Sequence, residues 1–213
     1  MRPVCPRCAG PLAGDLPLDA PALCPDHGAV DALHPPLPAA SLAQVAALAR
    51  VPVWVPDPAP FGWGLTGVRS AGRESRGWTA VVVGLSGPHP LGGDADLLLI
   101  AEEPGVGVGC RYAGLSGPDP GGPFRGPADA EVSVPPHNAR LWACTGTLPD
   151  RVAYVGEAAG LWLWMVVVPA AADLVLLDLL RLSDARQVTP DLPVASVRSG
   201  SIAALTGPGA PGG

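Results

Sequence analysis

The chain has 213 residues, a net charge of −6, and 28 glycines and 28 prolines, together about a quarter of its length. That acidic balance argues against a broad surface for nucleic acid or anionic lipid; all 13 basic residues are arginine, so P-loop and Schiff-base chemistry, which need lysine, are excluded. Apolar residues make up 48 % and mean hydropathy is +0.31, enough for a sizeable core, so the Gly and Pro read as turns punctuating apolar segments.

At the N-terminus, Met1-Arg2-Pro3-Val4-Cys5 has no apolar run of the kind a secretory signal needs. The most apolar stretch, Leu161 to Leu182, is broken by Pro169, Asp173, Asp178 and Arg181, too soon for a membrane-spanning helix. The expected location is therefore the cytoplasm, where cysteines bind metal more readily than they form disulfides.

Cys5-x2-Cys8 and Cys24-x2-His27 form two knuckles. A two-residue spacer lets each knuckle curl both of its ligands onto one ion, and zinc takes four such donors in a tetrahedron. The spacing is that of a zinc ribbon with His27 in place of the usual fourth cysteine. Pro6, Gly10, Pro25 and Gly28 suit the tight turns. Four protein ligands leave no open coordination position, so a structural Zn²⁺ is expected. His34 is an alternative fourth ligand. Residues 1–34 carry two arginines against four aspartates, and three thiolates on Zn²⁺ add about one further negative charge. Phosphate binding needs the opposite sign.

Beyond the ribbon, Pro35-Pro36-Leu37-Pro38 reads as a connector, and Ser41 as the cap of a short helix reaching Arg50. Prolines 52, 56, 58 and 60 restrict the next segment to an extended edge, with Trp54 turned to the core. Seven strands are expected: Trp63–Ala71, Trp78–Leu85, Leu97–Glu102, Arg140–Thr147, Val152–Glu157, Leu161–Val168 and Leu174–Leu182. Residues 94–103 and 174–186 also fit helical spacing, and strands are preferred for both. Runs such as Val81-Val82-Val83 and Leu161 to Val166 are apolar at consecutive positions, which implies cover on both faces.

The expected architecture is α+β and mainly β. A zinc ribbon spans 1–34, a Pro-rich connector with a short helix 35–60, a mostly antiparallel sheet domain 61–195, and a disordered Gly/Pro/Ala tail 196–213.

The other candidates for chemistry are weaker. Gly105-Val106-Gly107-Val108-Gly109 looks like a nucleotide loop, but Tyr112 stands where that motif needs glycine, so a bend beside a strand is the better reading. Cys144 and Cys110 read as core thiols unless a histidine such as His89 or His137 lies beside them. Gly84-Leu85-Ser86-Gly87-Pro88-His89-Pro90 is echoed by Gly114-Leu115-Ser116-Gly117-Pro118-Asp119-Pro120. The echo either reflects composition or sets Ser86, His89, Ser116 and Asp119 around one ligand. Glu157 is the acid singled out, with a role at a site or in a buried pair with Arg111 or Arg140. Trp162 and Trp164 share a strand face, read first as core.

The ribbon, with Val53-Trp54-Val55-Pro56, Phe61-Gly62-Trp63-Gly64-Leu65-Thr66-Gly67, Ser86-Gly87-Pro88 and Gly156-Glu157-Ala158-Ala159-Gly160-Leu161-Trp162-Leu163-Trp164, resembles an uncharacterised actinobacterial family over nearly the whole chain. The resemblance implies a shared Cys5, Cys8, Cys24 and His27 ligand set and supplies no established activity. A phosphotransacetylase-like label goes with some members, and no chemistry in this chain supports it.

Three function classes follow. The preferred one is a non-catalytic zinc protein, an adaptor or a regulatory or ligand-binding scaffold whose partner is another protein, with a small-molecule ligand as a further option. The second is an acyl- or phosphoryl-transfer enzyme using the Gly/Pro-rich loops with His89 and an arginine. The third, a nucleic-acid-associated ribbon, is disfavoured by charge.

Overall fold

The computed structural model describes residues 2–14, 20–89, 91–121, 124, 126–177 and 180–195, and the side chains of all of these except 174–177. The tail expected at 196–213 lies outside them. In the ribbon, β1 (Ala22–Cys24) and β2 (Gly28–Val30) form a hairpin. β3 (Leu37–Pro38) leads through a 3₁₀ turn, Ala39–Ser41, into α1 (Leu42–Leu48) and then β4 (Trp54–Pro56). Ser41 occupies the cap position of α1 without making a capping hydrogen bond, because the preceding turn already carries the chain into helix.

Three long strands follow, β5 (Gly64–Arg73), β6 (Gly77–Pro88) and β7 (Asp94–Glu102). After them come α2 (Val108–Ala113), β8 (Ala130–Val134), β9 (His137–Ala143), β10 (Val152–Ala158), β11 (Leu161–Val168) and β12 (Leu182–Asp184). One antiparallel sheet of eight strands results, in the order β3-β5-β6-β7-β11-β10-β9-β8. It consists of two meanders, β5-β6-β7 and β8-β9-β10-β11, joined where β7 pairs with β11 from Asp96↔Val168 to Trp162↔Glu102. β4 pairs with β12 in a separate two-stranded ribbon.

Residues 94–103 are thus mostly strand. Leu174–Leu182 is not. The chain turns instead into a 3₁₀ helix, Ala170–Leu177. Pro169 has no N–H with which to continue the ladder of β11, three alanines of low strand propensity follow, and Ala172 closes the first turn onto the Pro169 carbonyl at 2.9 Å. The strand expected to run to Thr147 ends at Ala143, and β8 was not anticipated.

Alternation along the central strands sorts their side chains onto two cores. Val81, Val83, Leu97, Leu99, Leu163, Met165 and Val167 face one, roofed by Leu42, Val45 and Ala46 of α1 and by Val51 to Val55. Val82, Leu98, Ile100, Trp164 and Val166 face the other, roofed by Val108, Cys110, Tyr112 and Ala113 of α2 and by Leu33 of the ribbon. Cover on both faces explains the consecutive apolar positions.

Glu102, fully buried at the end of β7, ties α2 to the sheet. Its carboxylate accepts the amides of Val108 at 2.7 Å and Gly109 at 3.2 Å. The Gly105–Gly109 bend therefore does cradle an anion, the protein's own side chain. Gly109 lies flat against Trp164: a Cβ there would stand 2.2 Å from the indole nitrogen. Burial pushes the Glu102 pKa from its usual 4.5 up to about 7, against the pull of the two amides. The Trp164 indole pulls the same way, although its N–H makes no hydrogen bond of ordinary geometry.

Between pH 4.5 and 7 the folded chain therefore holds a proton that the unfolded chain has released. Stability falls as pH rises through that window, by on the order of 3 kcal/mol from this group. Urea unfolding at pH 5 and pH 8 should show the decline in the parent, and Glu102→Gln should flatten it. Gly109→Ala should lower the thermal midpoint through about 1–3 kcal/mol of overpacking against Trp164.

Candidate metal centre

The two knuckles are built alike. After its second ligand each turns through a left-handed residue, Ala9 (φ 61°) in the first and Gly28 (φ 67°) in the second. The first is closed by Cys5 N–H donating to the Gly10 carbonyl at 2.9 Å and Ala9 N–H to the Cys5 carbonyl at 3.0 Å. The second is the β1–β2 turn itself, with Cys24 paired opposite Gly28. Amides of Arg7 and Cys8 point at the Cys5 sulfur, and those of Asp26 and His27 at the Cys24 sulfur. Val30 is buried beside Cys5 and Cys24, with Leu12 packed against them.

The donor atoms of Cys5, Cys8, Cys24 and His27 all lie within 4.8 Å of one another. Cys8 Sγ is 3.7 Å from Cys24 Sγ, and His27 Nδ1 is 3.7 Å from Cys5 Sγ and 3.5 Å from Cys24 Sγ. A tetrahedral zinc site, with bonds of about 2.3 Å to sulfur and about 2.0 Å to nitrogen, has edges of about 3.8 Å between sulfurs and about 3.5 Å from sulfur to nitrogen. These donors fit a metal ion of that size, with Nδ1 as the histidine ligand.

Burial pushes the Cys5 thiol up to about 11. Burial acts on Cys24 in the same sense but is outweighed by the His27 ring, the amides of Asp26 and His27, and Cys5, which hold it at about 7. His34 is not part of the cluster. Its Nε2 lies 3.1 Å from the Gly72 carbonyl and its ring meets Trp78 edge-on at 5.1 Å.

A family model matches residues 1–201, and its description is a family of unknown function, DUF6758. The chain belongs to that family. No curated protein matches it, and no solved structure does.

The remaining candidates in this DUF6758 chain are scattered. The two echoed segments occupy different settings: Ser86 lies within β6 and donates to Asp96 at 2.7 Å, whereas Asp119 accepts the Gly105 amide at 2.7 Å and the Trp162 indole at 3.0 Å. His89 Nδ1 accepts the Leu91 amide at 2.8 Å. Cys144 lines a cleft of about 630 Å³ with Ser116, Phe124, Asp129 and Trp142, and burial raises its thiol to about 11. Cys110, on α2, is buried in the core that helix roofs and its thiol is raised to about 12, first by burial and then by Glu102.

Glu157 is exposed and makes no ion pair with Arg111 or Arg140 among the described residues; it borders a second cleft, of about 420 Å³, with Trp54, His137 and Arg181. Trp162 and Trp164 pack in the core face roofed by α2. The sheltered charged groups that matter most, Glu102, Arg69 and Arg111, carried no motif. A charge within an apolar strand, as at Glu102 and Arg69, was the available signal.

With metal bound, Cys5, Cys8 and Cys24 should resist a thiol reagent at neutral pH. A chelator should loosen the two knuckles, lift the burial that shelters Cys5 and so release three reactive thiols, while Cys110 and Cys144, packed on the sheet, stay slow; mass spectrometry of the labelled peptides checks this.

Proposed function

We propose that this chain is a non-catalytic zinc protein in which Cys5, Cys8, Cys24 and His27 hold one structural Zn²⁺ and the sheet domain serves as a scaffold for a partner protein. The observation that carries the reading is the set of donor distances, which match the edges of a filled tetrahedron and leave no position for a substrate. Bound Zn²⁺ would cross-link two short turns that cannot bury a core of their own. The transfer-enzyme reading draws no support from the residues it named: the ring of His89 is engaged by the Leu91 amide, and the Cys144 thiol is held well above neutral pH.

A protein partner is supported by apolar side chains that the fold leaves uncovered. Phe61 is 98 % exposed and Leu91 72 % exposed. They share one end of the sheet, since Gly62 approaches Pro88, the last residue of β6, and Leu91 lies in the turn that follows. No helix among the described residues is long and apolar enough to cross a membrane.

Elemental analysis of purified chain should give about one zinc per molecule. Cys24→Ala should abolish it and His34→Ala should leave it intact; full zinc in Cys24→Ala would sink the assignment. A partner lost with Phe61→Ser but kept in Cys24→Ala would place docking at the Phe61 end, and the converse would place it on the ribbon.

A further inference from the structure

Among the described residues, hydrogen bonds reach from the ribbon to the rest of the chain at two places. One is its exit, residues 31–34. His34 N–H donates to the Ser70 carbonyl at 2.9 Å, Gly72 N–H to the Ala32 carbonyl at 3.1 Å, and the Thr79 hydroxyl to Asp31 at 2.8 Å. The other is a single side chain of the first knuckle. Arg7, between Cys5 and Cys8, donates through Nη2 to the Gly105 carbonyl and through Nε to the Val106 carbonyl at 3.4 Å.

The bend that Arg7 grips is the seat of α2. Gly107 (φ 91°) leaves a notch for the arginine stem: a Cβ there would stand 2.8 Å from Arg7 Cγ and 3.1 Å from Pro118 Cα. Gly105 N–H donates to Asp119 at 2.7 Å, and the same oxygen accepts the Trp162 indole at 3.0 Å. The Gly107 carbonyl takes the Arg111 amide at 3.2 Å, and Glu102 takes those of Val108 and Gly109. A six-residue helix cannot hold itself in water, so whatever fixes this bend fixes the roof over Trp164 and Val166. At its other end Arg7 is held by the knuckle, which has two backbone hydrogen bonds and a cluster of four side chains shared with the rest of the ribbon. An ion on Cys5 and Cys8 would pin the backbone on both sides of Arg7.

We propose that Arg7 latches the first knuckle to the bend before α2, so that metal occupancy of the ribbon sets how firmly α2 closes its face of the sheet. This rests on the zinc reading above. Arg7 is a positioning residue that ligates no ion. Its planar fork reaches two successive carbonyls at once, which fixes the bend in direction as well as in distance. Without the ion the knuckle backbone gains freedom, and keeping the fork on both carbonyls costs that entropy. The exit, residues 31–34, lies beyond both knuckles and keeps its own bonds to β5. Metal loss therefore loosens α2 and leaves the exit docked. Coupling of this kind is reciprocal: freeing the bend weakens metal binding by the same factor.

The test uses the full chain and zinc alone. Hydrogen exchange on the parent should show the Val108, Gly109 and Arg111 amides exchanging about 5–150-fold faster once zinc is removed, the span of an ordinary coupling. The His34 and Gly72 amides and those of β6 and β7 should keep their protection. In Arg7→Ala the α2 amides should exchange fast even with zinc bound, and Arg76→Ala, at an exposed arginine, should behave as the parent. Competition against a chromogenic chelator reads the reciprocal effect. Asp119→Ala, which frees the bend without touching the ribbon, should weaken zinc binding by a factor in the same range, and Asp119→Asn, which keeps the accepting oxygen, should not. The parent measurement needs no variant, so a misfolded mutant cannot leave the question open. Three results overturn the latch and leave the metal centre standing: α2 amides equally protected with and without zinc, an equal loss at His34 and Gly72, or parent-like zinc affinity in Asp119→Ala. A parent that takes up no zinc overturns both.

Discussion

The pairing of β7 with β11 is the contact on which the rest of the fold depends. It joins the two meanders, and both strands are apolar on both faces, so neither face of the sheet centre can meet water. Each face needs its own roof. On one side the roof is ordinary chain, α1 with the segment through β4. On the other it is assembled from parts too small to stand alone, the six-residue α2 and the N-terminal ribbon. An isolated helix of that length is marginal in water. Its first amides are held by Glu102, a residue of the very strand it covers, so sheet and roof are mutually dependent.

The ribbon extends this logic. Leu33 reaches the core beneath α2, and Val4 pairs with Leu33 across the ribbon's own backbone. Among the described residues, Cys5, Cys24 and Val30, with Leu12 beside them, make up the ribbon's own cluster. Side chains that few cannot offset the conformational entropy of two knuckles. The donor set sits in this segment, where a bound ion would supply directional bonds in place of the missing hydrophobic area.

Period-2 alternation and paired spacings carried most of what could be read from the sequence. The strands Trp78–Leu85, Leu97–Glu102, Val152–Glu157 and Leu161–Val168 fall within or on observed strands because strand burial writes itself into consecutive residues. The four candidate ligands converge because a two-residue spacer constrains local geometry whatever the remainder of the chain does. Leu174–Leu182 failed because its apolar run suits either period, and the outcome turned on the chain leaving β11 at Pro169. Asp96 is buried against Ser86, whereas Glu157, weighed for a role at a site or in a buried pair, is exposed. For isolated charges, side-chain fate depends on which strands become neighbours, and no local pattern records that.

The absence of lysine gains a structural meaning at the ribbon junction. An ammonium is a compact, strongly hydrated point charge, whereas a guanidinium is planar, weakly hydrated and fans several N–H groups in fixed directions. Arg69 uses that fan to reach the His34 carbonyl and the Tyr112 hydroxyl, linking the ribbon's exit, β5 and α2 through one side chain. Arg7 does likewise from the first knuckle, meeting two successive carbonyls of the bend before α2. A lysine at either place could satisfy single acceptors but would desolvate at greater cost. Arginine is therefore the cation that can be sheltered at this junction and still bridge three elements.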